Sequence, residues 1–259
     1  MSTEFSQRFS GTARLYGSEG LERLKQAHIC VVGIGGVGSW AAEALARTAV
    51  GRITLIDLDD LCITNTNRQI HALHDTVGES KVEVMAARIR QINPDCQCEV
   101  VEEFLAEDNL SELLDNGYDY VIDAIDSVRV KAAMIAFCRR RKIPIITVGG
   151  AGGQKDPTQI AIADLSRTYQ DPLAAKVRSQ LRRFHGFSKN PKRRFDVPCV
   201  FSTEQLSYPQ ADGTVCLQKT PGEEGAMGLD CSSGFGAATV VTATFGFVAV
   251  SRVLEKLTK

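Results

Sequence analysis

The stretch His28–Gly38, HICVVGIGGVG, decides the fold of this chain. It places an apolar, β-branched run before a glycine-rich turn, and the alanine-rich segment Ser39–Thr48 follows the turn. A strand, a glycine turn and a helix in this order are typical of a parallel α/β sheet, because unpaired N–H groups at the helix N-terminus can hold a phosphate. The stretch therefore predicts a nucleotide site at the carboxyl edge of a sheet. The glycines of the turn are Gly33, Gly35, Gly36 and Gly38.

Strands and helical segments alternate from this stretch to Val148. The predicted strands are His28–Gly33, Arg52–Ile56, Cys98–Val101, Tyr120–Ile122 and Pro144–Val148. The predicted helices between them are Ser39–Thr48, Val77–Ile92, Asp108–Leu114 and Val128–Arg141. Strands separated by helices favour parallel pairing with right-handed crossovers. The predicted fold class is α/β, with a doubly wound, mainly parallel, Rossmann-like sheet.

The alternation stops after Gly149. Thr158–Ala163 and Val200–Leu206 are predicted strands with no matching crossover, so antiparallel strands are expected to extend the same sheet in the C-terminal part. The uncharged stretch Cys231–Ser251 has the length of a membrane span, but its serines, threonines and glycines favour a helix buried against the sheet. The chain is interpreted as one domain over residues 1–259, with a nucleotide-binding half at 9–148 and a substrate-facing half at 149–259.

The composition is that of an ordinary globular protein, with 44% hydrophobic and 24% charged residues and 8 prolines among 259 residues. This excludes the disordered and fibrous classes. The 8 cysteines include no CxxC pair, which excludes a zinc ribbon, and Met1–Gly20 contains no apolar leader. Reduced thiols in the cytoplasm are therefore expected, and peripheral membrane association through Cys231–Ser251 stays open.

Three charged residues downstream decide which nucleotide the glycine turn serves. Asp57 ends the second predicted strand, where a carboxylate can bind ribose hydroxyls, and this suits a dinucleotide and ATP equally. Arg68, Lys81 and Asp126 follow it and are expected at the same edge of the sheet. Hydride transfer needs an apolar slot for nicotinamide, whereas triphosphate cleavage needs cations on the phosphates and a carboxylate for Mg²⁺. The three residues therefore favour ATP.

Several motifs together resemble the adenylating family of ubiquitin-activating enzymes and bacterial activators of sulfur-carrier proteins. They are GIGGVGSW at Gly33–Trp40, Asp57 with Asp59, Asn67-Arg68-Gln69, Lys81 and Asp126, all within Phe9–Val148. Longer segments over nearly the whole chain resemble one branch of that family, the tRNA threonylcarbamoyladenosine dehydratases. These segments are RFSGTARLYG, NTNRQIHAL, GGAGGQKDPTQI, VFSTE and GFGAATVVTATFGFVAV. The resemblance implies ATP-dependent cyclisation of the modified adenosine beside the anticodon of tRNA, with release of AMP and pyrophosphate.

The resemblance also implies a role for each matching residue. Asp57 would bind the ribose and Asp126 a Mg²⁺ ion. The family uses an arginine of the other protomer near the N-terminus, and because Arg8 and Arg14 both lie there, a homodimer is expected. The implied nucleotide contacts are Gly33, Gly35, Gly36, Gly38, Asp57, Asp59, Asn67 and Gln69. The implied catalytic residues are Arg68, Lys81, Asp126 and Arg14, of which Arg68 and Lys81 would hold the triphosphate with Asn67.

The chain departs from its carrier-activating relatives in its cysteines. Those relatives commonly hold zinc with two CxxC pairs, so no zinc is expected here. Cys199 and Cys231 lie nearest the region of a catalytic thiol and are interpreted as structural. Ring closure within one substrate needs no enzyme thioester, which agrees with the absence of a matching thiol. A monovalent cation is a further possibility that the residues leave open.

A basic segment at residues 172–195 contains eight basic residues and no acidic one, although the net charge of the chain is −1. Such segregation is typical of a polyanion contact, and the alternative is a solvated loop flank. We predict that the segment contacts the tRNA backbone, with Arg139–Lys142 as a second candidate. The eight residues are Lys176, Arg178, Arg182, Arg183, Lys189, Lys192, Arg193 and Arg194.

Other functions account for part of the pattern. An activator of a sulfur-carrier protein would adenylate a protein C-terminus, and a related sulfur relay would use a cysteine-desulfurase and sulfur-acceptor system. The absent zinc pairs and the basic segment favour RNA over a carrier protein. Arg68, Lys81 and Asp126 disfavour a nicotinamide-dependent oxidoreductase. A non-catalytic adaptor would bind ATP without turning it over.

Overall fold

The computed structural model describes residues 3–210, 212–217 and 235–259. Its strands are β1 His28–Val32, β2 Arg52–Ile56, β3 Gln97–Val101, β4 Tyr120–Asp123, β5 Ile145–Val148, β6 Ile160–Asp164, β7 Pro198–Ser202, β8 Tyr208–Pro209 and β9 Val215–Cys216. Its helices are α1 Thr3–Arg8, α2 Ser10–Gln26, α3 Gly38–Arg47, α4 Lys81–Ile92, α5 Leu110–Leu114, α6 Val128–Arg141, α7 Pro172–Phe184 and α8 Thr239–Leu257.

Seven strands form one sheet in the order β3-β2-β1-β4-β5-β7-β6. The strand order reverses between β1 and β4, which creates the switch point where doubly wound sheets bind ligands. The predicted fold class is confirmed, including an antiparallel extension, because β6 runs antiparallel to β7 at the edge. One detail differs from the expectation, since β7 itself joins β5 in parallel.

The central strand β1 is apolar on both faces, and all of His28–Val32 is buried. Helices α3, α4 and α8 cover one face of the sheet, with Leu45 and Phe245 in their core. Helices α5, α6 and α7 cover the other face, with Leu114 and Leu181 in theirs. Burial on both faces explains why the strand sequence is a continuous apolar run rather than an alternating one. The two layers leave the carboxyl ends of the strands exposed at one edge.

Some element boundaries differ from the sequence prediction. The two N-terminal helices have no counterpart in it, because the apolar face that they bury is small and centres on Phe5, Phe9 and Leu21. The helix expected from Val77 begins at Lys81, since a 3₁₀ turn and Gly78, with a φ of 91°, precede it.

Within the uncharged C-terminal stretch, residues 239–251 belong to α8, which packs against α3. A Cβ on Gly246 would lie 2.7 Å from the carbonyl oxygen of Val37 and 2.9 Å from the backbone nitrogen of Ala41, so the contact requires glycine. Cys231 and its neighbours before residue 235 lie outside the described residues. Of the helices that the structure describes, none has the length and apolar character needed to cross a membrane.

Candidate active site

A cavity of about 360 Å³ opens at the carboxyl ends of β1, β2, β4 and β5. Its walls are the glycine turn and the loops after β2, β3, β4 and β5. The structure brings together most of the residues that the sequence singled out, whereas Gly38, Asn67 and Arg14 do not line the cavity. The predicted residues that line it are Gly33, Gly35, Gly36, Asp57, Asp59, Arg68, Gln69, Lys81 and Asp126.

Two of the four glycines hold the turn together at its base. Gly33 has a φ of 87°, and a Cβ there would lie 2.9 Å from the Ile125 side chain. A Cβ on Gly38 would lie 1.8 Å from the carbonyl oxygen of Gly33. Gly38 therefore permits close packing between the turn and α3, while Gly35 and Gly36 line the cavity.

The two aspartates after β2 have partners within the protein. Asp57 Oδ2 accepts a hydrogen bond from the N–H of Ile34 at 2.6 Å, and its Oδ1 accepts one from the N–H of Asp59 at 2.9 Å. Asp59 Oδ2 lies 2.7 Å from Lys81 Nζ in an ion pair, and the Lys81 side chain is only 8% exposed. Asp57 thus ties the glycine turn to the end of β2, and Asp59 holds the ammonium group of Lys81 at the cavity wall.

Arg68 and Gln69 reach the cavity from the long loop between β2 and α4. Nη1 of Arg68 donates to the carbonyl oxygen of Thr64 at 2.9 Å and to Oδ1 of Asn67 at 3.0 Å, which fixes the guanidinium group. Asn67 in turn donates through Nδ2 to the carbonyl oxygen of Ala237 at 2.9 Å. Oε1 of Gln69 is buried without a hydrogen-bond partner in the described part of the chain. Because such an oxygen costs free energy, it is a candidate contact for a ligand.

Asp126 lies in the loop after β4, and buried polar groups beneath this loop fix its position. Its own side chain is exposed at the cavity and makes no hydrogen bond with a described residue. Nζ of Lys131 donates to Asp123 Oδ1 at 2.9 Å and to the carbonyl oxygen of Ile125 at 2.8 Å. Thr147 Oγ1 donates to Asp123 Oδ2 at 2.6 Å. Burial raises the pKa of the Asp123 carboxyl, and the charge of Lys131 opposes that rise.

The sequence analysis missed two groups at the site. Phe104 is 59% exposed at the cavity wall, and Asn109 fixes its loop by hydrogen bonds to the carbonyl oxygen of Phe104 at 3.0 Å and from the N–H of Ala106 at 2.8 Å. In the sequence, the signal for Phe104 is that it is a single aromatic residue in an acidic loop. Lys131 resembles an ordinary helix charge, and its signal is a lone lysine within the apolar run Val130–Phe137.

The donor set is compatible with a magnesium ion bound together with a triphosphate. Among the residues that the structure describes, no three His, Cys, Asp or Glu side chains are grouped as in an all-protein metal site. Mg²⁺ is commonly held by one or two carboxylates together with substrate phosphates and water. Asp126 offers such a carboxylate in the same cavity as Arg68 and Lys81.

The N-terminal arginines and Cys199 lie outside the cavity of their own chain. Arg14 is exposed on α2, and Arg8 forms an ion pair with Glu4 at 2.5 Å. Cys199 is buried, and burial raises the pKa of its thiol, so the thiolate needed for nucleophilic attack is disfavoured. Cys231, the other cysteine considered, lies outside the described residues.

The basic segment divides between two surfaces. Arg194 lies 3.8 Å from Asp164 and lines a groove together with Arg139 and Lys142. The end of the basic segment therefore lies on the same surface as the second candidate, Arg139–Lys142. The remaining basic residues lie along or just after α7, and part of them line a separate groove of about 390 Å³. The residues of this second groove, called the α7 groove below, are Ala175, Arg178, Ser179, Arg182, Arg183 and Lys189.

A doubly wound sheet whose glycine turn shares one cavity with two cations and a carboxylate defines a nucleotide-binding protein with a site suited to a triphosphate. A family model described as the ThiF family matches residues 9–259. Over 257 residues, the chain is 65% identical to the tRNA threonylcarbamoyladenosine dehydratase of Escherichia coli (strain K12), covering 99% of this chain and 96% of that relative. The chain belongs to the ThiF family and, within it, to the tRNA threonylcarbamoyladenosine dehydratases.

Two further comparisons agree with this assignment. The protein of the same name from Haemophilus influenzae (strain ATCC 51907 / DSM 11121 / KW20 / Rd) is 56% identical over 98% of this chain and 95% of its own length. A solved structure of the E. coli tRNA N6-threonylcarbamoyladenosine dehydratase in complex with ATP superposes with a TM-score of 0.88 at 60% identity. That comparison covers 99% of this chain and 96% of the solved one.

Proposed function

We propose that this protein catalyses the ATP-dependent dehydration of threonylcarbamoyladenosine next to the anticodon of tRNA, which closes the modification into a ring. The observation that carries the proposal is the single cavity shared by the glycine turn, Arg68, Lys81 and Asp126. It offers backbone N–H groups, two cations and a carboxylate, which are the groups needed to bind and polarise a triphosphate. The names of the relatives, and the ATP complex of one of them, support the same function.

ATP is proposed to lie across the strand ends from β3 to β4. The exposed ring of Phe104 can stack on the base, and Asp57 can accept hydrogen bonds from the ribose. The N–H groups of Gly35 and Gly36 lie at the start of α3, where the helix dipole favours the phosphates. Asn67 contributes indirectly, since it holds the Arg68 guanidinium.

Charge on the phosphates is proposed to be balanced by two cations and one carboxylate-bound metal. Arg68 and Lys81 contribute fixed positive charge that needs no reorganisation during the reaction, because Asn67 and Asp59 already hold them in place. Asp126 would hold Mg²⁺, which, when bound, neutralises charge on the phosphate oxygens. Gln69 would give its unpaired oxygen to the nucleotide or to metal-bound water.

The reaction is proposed to proceed in two steps without a covalent enzyme intermediate. First, the threonyl carboxylate attacks the α-phosphorus of ATP, and the bond to pyrophosphate breaks. The product is a mixed anhydride with AMP, whose carbonyl is a far better acceptor than a carboxylate. A nitrogen or the oxygen of the same urea group then attacks that carbonyl, a urea nitrogen loses its proton, and AMP is expelled as a five-membered ring closes. Because both groups belong to one substrate, the effective concentration is high and no thiol is required.

The test of this proposal is incubation of the protein with ATP, Mg²⁺ and tRNA that carries threonylcarbamoyladenosine. Nucleoside mass analysis is expected to show the loss of one water, with one AMP and one pyrophosphate formed per modified nucleoside. Unmodified tRNA serves as the control and should release no pyrophosphate. If the authentic RNA is left unchanged, or if water is lost without ATP, the proposed function is wrong.

The α7 groove is proposed to hold the tRNA backbone. The residues that lie between its basic side chains, Ala175 and Ser179, are small. Lys176 is exposed on the same helix. Phosphate contacts of this kind position the RNA and are weakened by salt. Arg194 would contact the RNA from the other basic surface, together with Arg139.

Single replacements of Lys176, Arg183 or Lys189 by alanine are expected to lower tRNA affinity and to reduce its salt dependence by about one unit of slope each. Affinity for ATP should stay unchanged, because none of these side chains lines the nucleotide cavity. A salt series of filter-binding measurements tests this. Arg90→Ala is the matched control, since Arg90 is exposed on α4 on the opposite face of the sheet. Equal salt slopes for all four variants and the parent chain would remove the assignment.

A homodimer is proposed in which Arg14 acts at the partner's cavity. Helix α8 carries an uncharged exposed face, with Val240 56% and Phe247 44% exposed, and the Trp40 ring contacts Phe247 at 5.8 Å between centroids. Helix α2, which packs against α8, is kinked at Gly17, whose φ is 75°. The buried residues of α2 follow the kink, and the part before it exposes Arg14 beside Leu15, which is 75% exposed. A second copy on this face would cover the apolar side chains.

Phe247→Glu is expected to shift the protein from dimer to monomer, because burial of the new charge in an apolar interface is costly. Sedimentation velocity measures the change, and dehydration activity should fall with the dimer fraction if Arg14 acts in trans. Phe184→Glu is the matched control for the sedimentation measurement, because Phe184 is 62% exposed at the end of α7, on the face of the sheet opposite α8. A dimer that persists in Phe247→Glu shows that the copies meet elsewhere.

Four expectations stay predictions. A cysteine-desulfurase partner gains no support from Cys30, Cys96, Cys98, Cys138 or Cys199, since burial raises the pKa of each thiol. A monovalent cation is the second, and a cytoplasmic location is the third. The fourth is the interpretation of residues 1–259 as one adenylating domain; pairing of β5 with β7 supports it, because the sheet continues across both halves.

A further inference from the structure

Asp171 is a buried carboxylate that joins helix α7 to the wall of the nucleotide cavity. Its Oδ1 accepts a hydrogen bond from the N–H of Ala174 at 2.8 Å, which caps α7. Its Oδ2 accepts one from the N–H of Gly150 at 3.1 Å, in the glycine-rich loop after β5. A Cβ on Gly149 would lie 1.7 Å from Oδ2, so this close approach requires glycine there. One side chain therefore connects two elements that are separate in the sequence.

The loop after β5 and the first turn of α7 both line the nucleotide cavity, and α7 continues from there to the basic surface. Gly149, Ala151 and Gly152 line the cavity from the loop after β5, and Leu173 lines it from the first turn of α7. The same helix then carries Arg178, Arg182 and Arg183 of the α7 groove. At about 1.5 Å per residue, the 13 residues of α7 extend about 20 Å from the cavity. Helix α7 is thus the rigid element between the nucleotide cavity and the proposed RNA contact.

Capping of α7 does not by itself require an aspartate. Serine and asparagine cap helices about as well as aspartate does, and neither is charged. Burial raises the pKa of the Asp171 carboxyl, while the N–H groups of Ala174 and Gly150 and the charges of Lys131 and Arg178 lower it. A buried carboxylate thus has a desolvation cost that a neutral cap avoids. What the second carboxylate oxygen adds is the bond to the loop after β5.

We infer that Asp171 is a positioning residue. It holds the loop Gly149–Gly152 at a fixed position relative to α7, so that tRNA bound on this helix presents the threonyl carboxylate of its modified nucleoside to the nucleotide. This inference rests on the proposed function. The residue contacts neither nucleotide nor RNA in this assignment, and it acts through Gly150 and α7. Its loss is therefore expected to affect the rate of the reaction more than the binding of either substrate.

The test uses Asp171→Ser and Asp171→Asn in the full-length protein. Both side chains keep one oxygen to accept the N–H of Ala174, but serine is too short to reach Gly150 as well, and the asparagine NH₂ group cannot accept a hydrogen bond. Dissociation constants for ATP and for modified tRNA, measured separately, should stay within about twofold of the parent chain. At saturating ATP and RNA, kcat for loss of water is expected to fall about ten- to a hundredfold, as for a small misplacement of reacting groups.

Asn93 provides the matched control. It is also buried and ends a helix, and it bridges to another loop, because its Nδ2 donates to the carbonyl oxygen of Val50 at 3.1 Å, at the edge of the sheet opposite the nucleotide cavity. Asn93→Ser should lower the unfolding temperature, as Asp171→Ser should, yet its kcat at saturating substrates should be that of the parent chain. This comparison separates positioning from a general loss of stability.

The outcomes are distinguishable from those of the proposed function. If the parent chain fails to dehydrate modified tRNA, the proposed function itself is wrong. If the parent chain is active and folded Asp171→Ser turns over at the parent rate, the inference is wrong and the function stands. Equal losses of kcat in Asn93→Ser and Asp171→Ser also overturn it. So does failure of both Asp171 variants to fold where Asn93→Ser folds, because the role is then structural.

Discussion

Asp126→Asn is expected to reduce ATP-dependent dehydration about a thousandfold while the protein keeps its fold. The Asp126 carboxylate is exposed at the cavity and makes no hydrogen bond with a described residue, so its loss removes negative charge without breaking a structural contact. Asparagine has nearly the same shape but lacks the charge that a divalent cation requires. Release of pyrophosphate and loss of water from modified tRNA measure the effect, and thermal unfolding shows whether the fold is kept.

Asp95→Asn is the matched control for this variant. Asp95 is exposed in the turn between α4 and β3, at the opposite edge of the sheet from the cavity, and its replacement should leave both the rate and the unfolding temperature unchanged. Titration with Mg²⁺ adds a second measurement, because the residual activity of Asp126→Asn should need more metal than the parent chain does. Normal turnover by Asp126→Asn would remove Asp126 from the catalytic set and leave the metal without its proposed ligand.

Lys131→Met is expected to lower the free energy of unfolding by about 3–5 kcal/mol at neutral pH. The Lys131 and Asp123 side chains are 2% and 0% exposed, so methionine removes the only described cation within hydrogen-bond distance of a fully buried carboxylate. It also removes the hydrogen bond to the carbonyl oxygen of Ile125 in the loop that carries Asp126. Activity is therefore expected to fall even in the fraction that is folded.

The destabilisation by Lys131→Met should depend on pH in a defined direction. Burial already raises the pKa of Asp123 in the parent chain, and the loss of the Lys131 charge raises it further. An acid whose folded-state pKa lies above its unfolded value is favoured in its protonated, folded form as the pH falls. The stability difference should therefore be largest at about pH 8 and smaller at about pH 5, as measured by urea unfolding.

The double variant Asp123→Asn with Lys131→Met is the control for this argument. Replacing both charged groups leaves no unpaired charge at position 123, so most of the lost stability should return, and most of its dependence on pH should disappear. The remainder belongs to the buried carboxyl of Asp171, whose pKa the Lys131 charge also lowers. If Lys131→Met alone is as stable as the parent chain at every pH, the pair does not hold the loop after β4. Its place behind Asp126 would then have no functional consequence.

The fold was predictable because it depends on local patterns that repeat along the chain. A run such as His28–Val32, apolar on both faces, has few stable environments other than the centre of a covered parallel sheet. The start of α4 was misplaced because Gly78 and a 3₁₀ turn interrupt the helix before Lys81, and backbone turns of this kind leave little periodic signal. The N-terminal helices were missed for a related reason, since their buried face is small.

The site was predictable as far as it depends on which residue types follow the carboxyl ends of the strands. Parallel strands carry their carboxyl ends to one edge, so Arg68, Lys81 and Asp126 were expected to meet, and they line one cavity. Gly38 illustrates the limit of such reasoning. It belongs to the glycine motif, but a Cβ on it would lie 1.8 Å from the carbonyl oxygen of Gly33. Its role is therefore close packing, and it does not line the cavity.

The sequence by itself determined the sheet, the nucleotide edge and the charges that favour a triphosphate, because each is encoded in neighbouring residues. Only the tertiary structure decided that Lys131 supports the loop of Asp126, and that Asp171 connects α7 to Gly150. It also separated Arg194 from the α7 groove. These contacts join residues whose pairing no local pattern encodes, and a buried charge is recognisable only once the groups that surround it are in place.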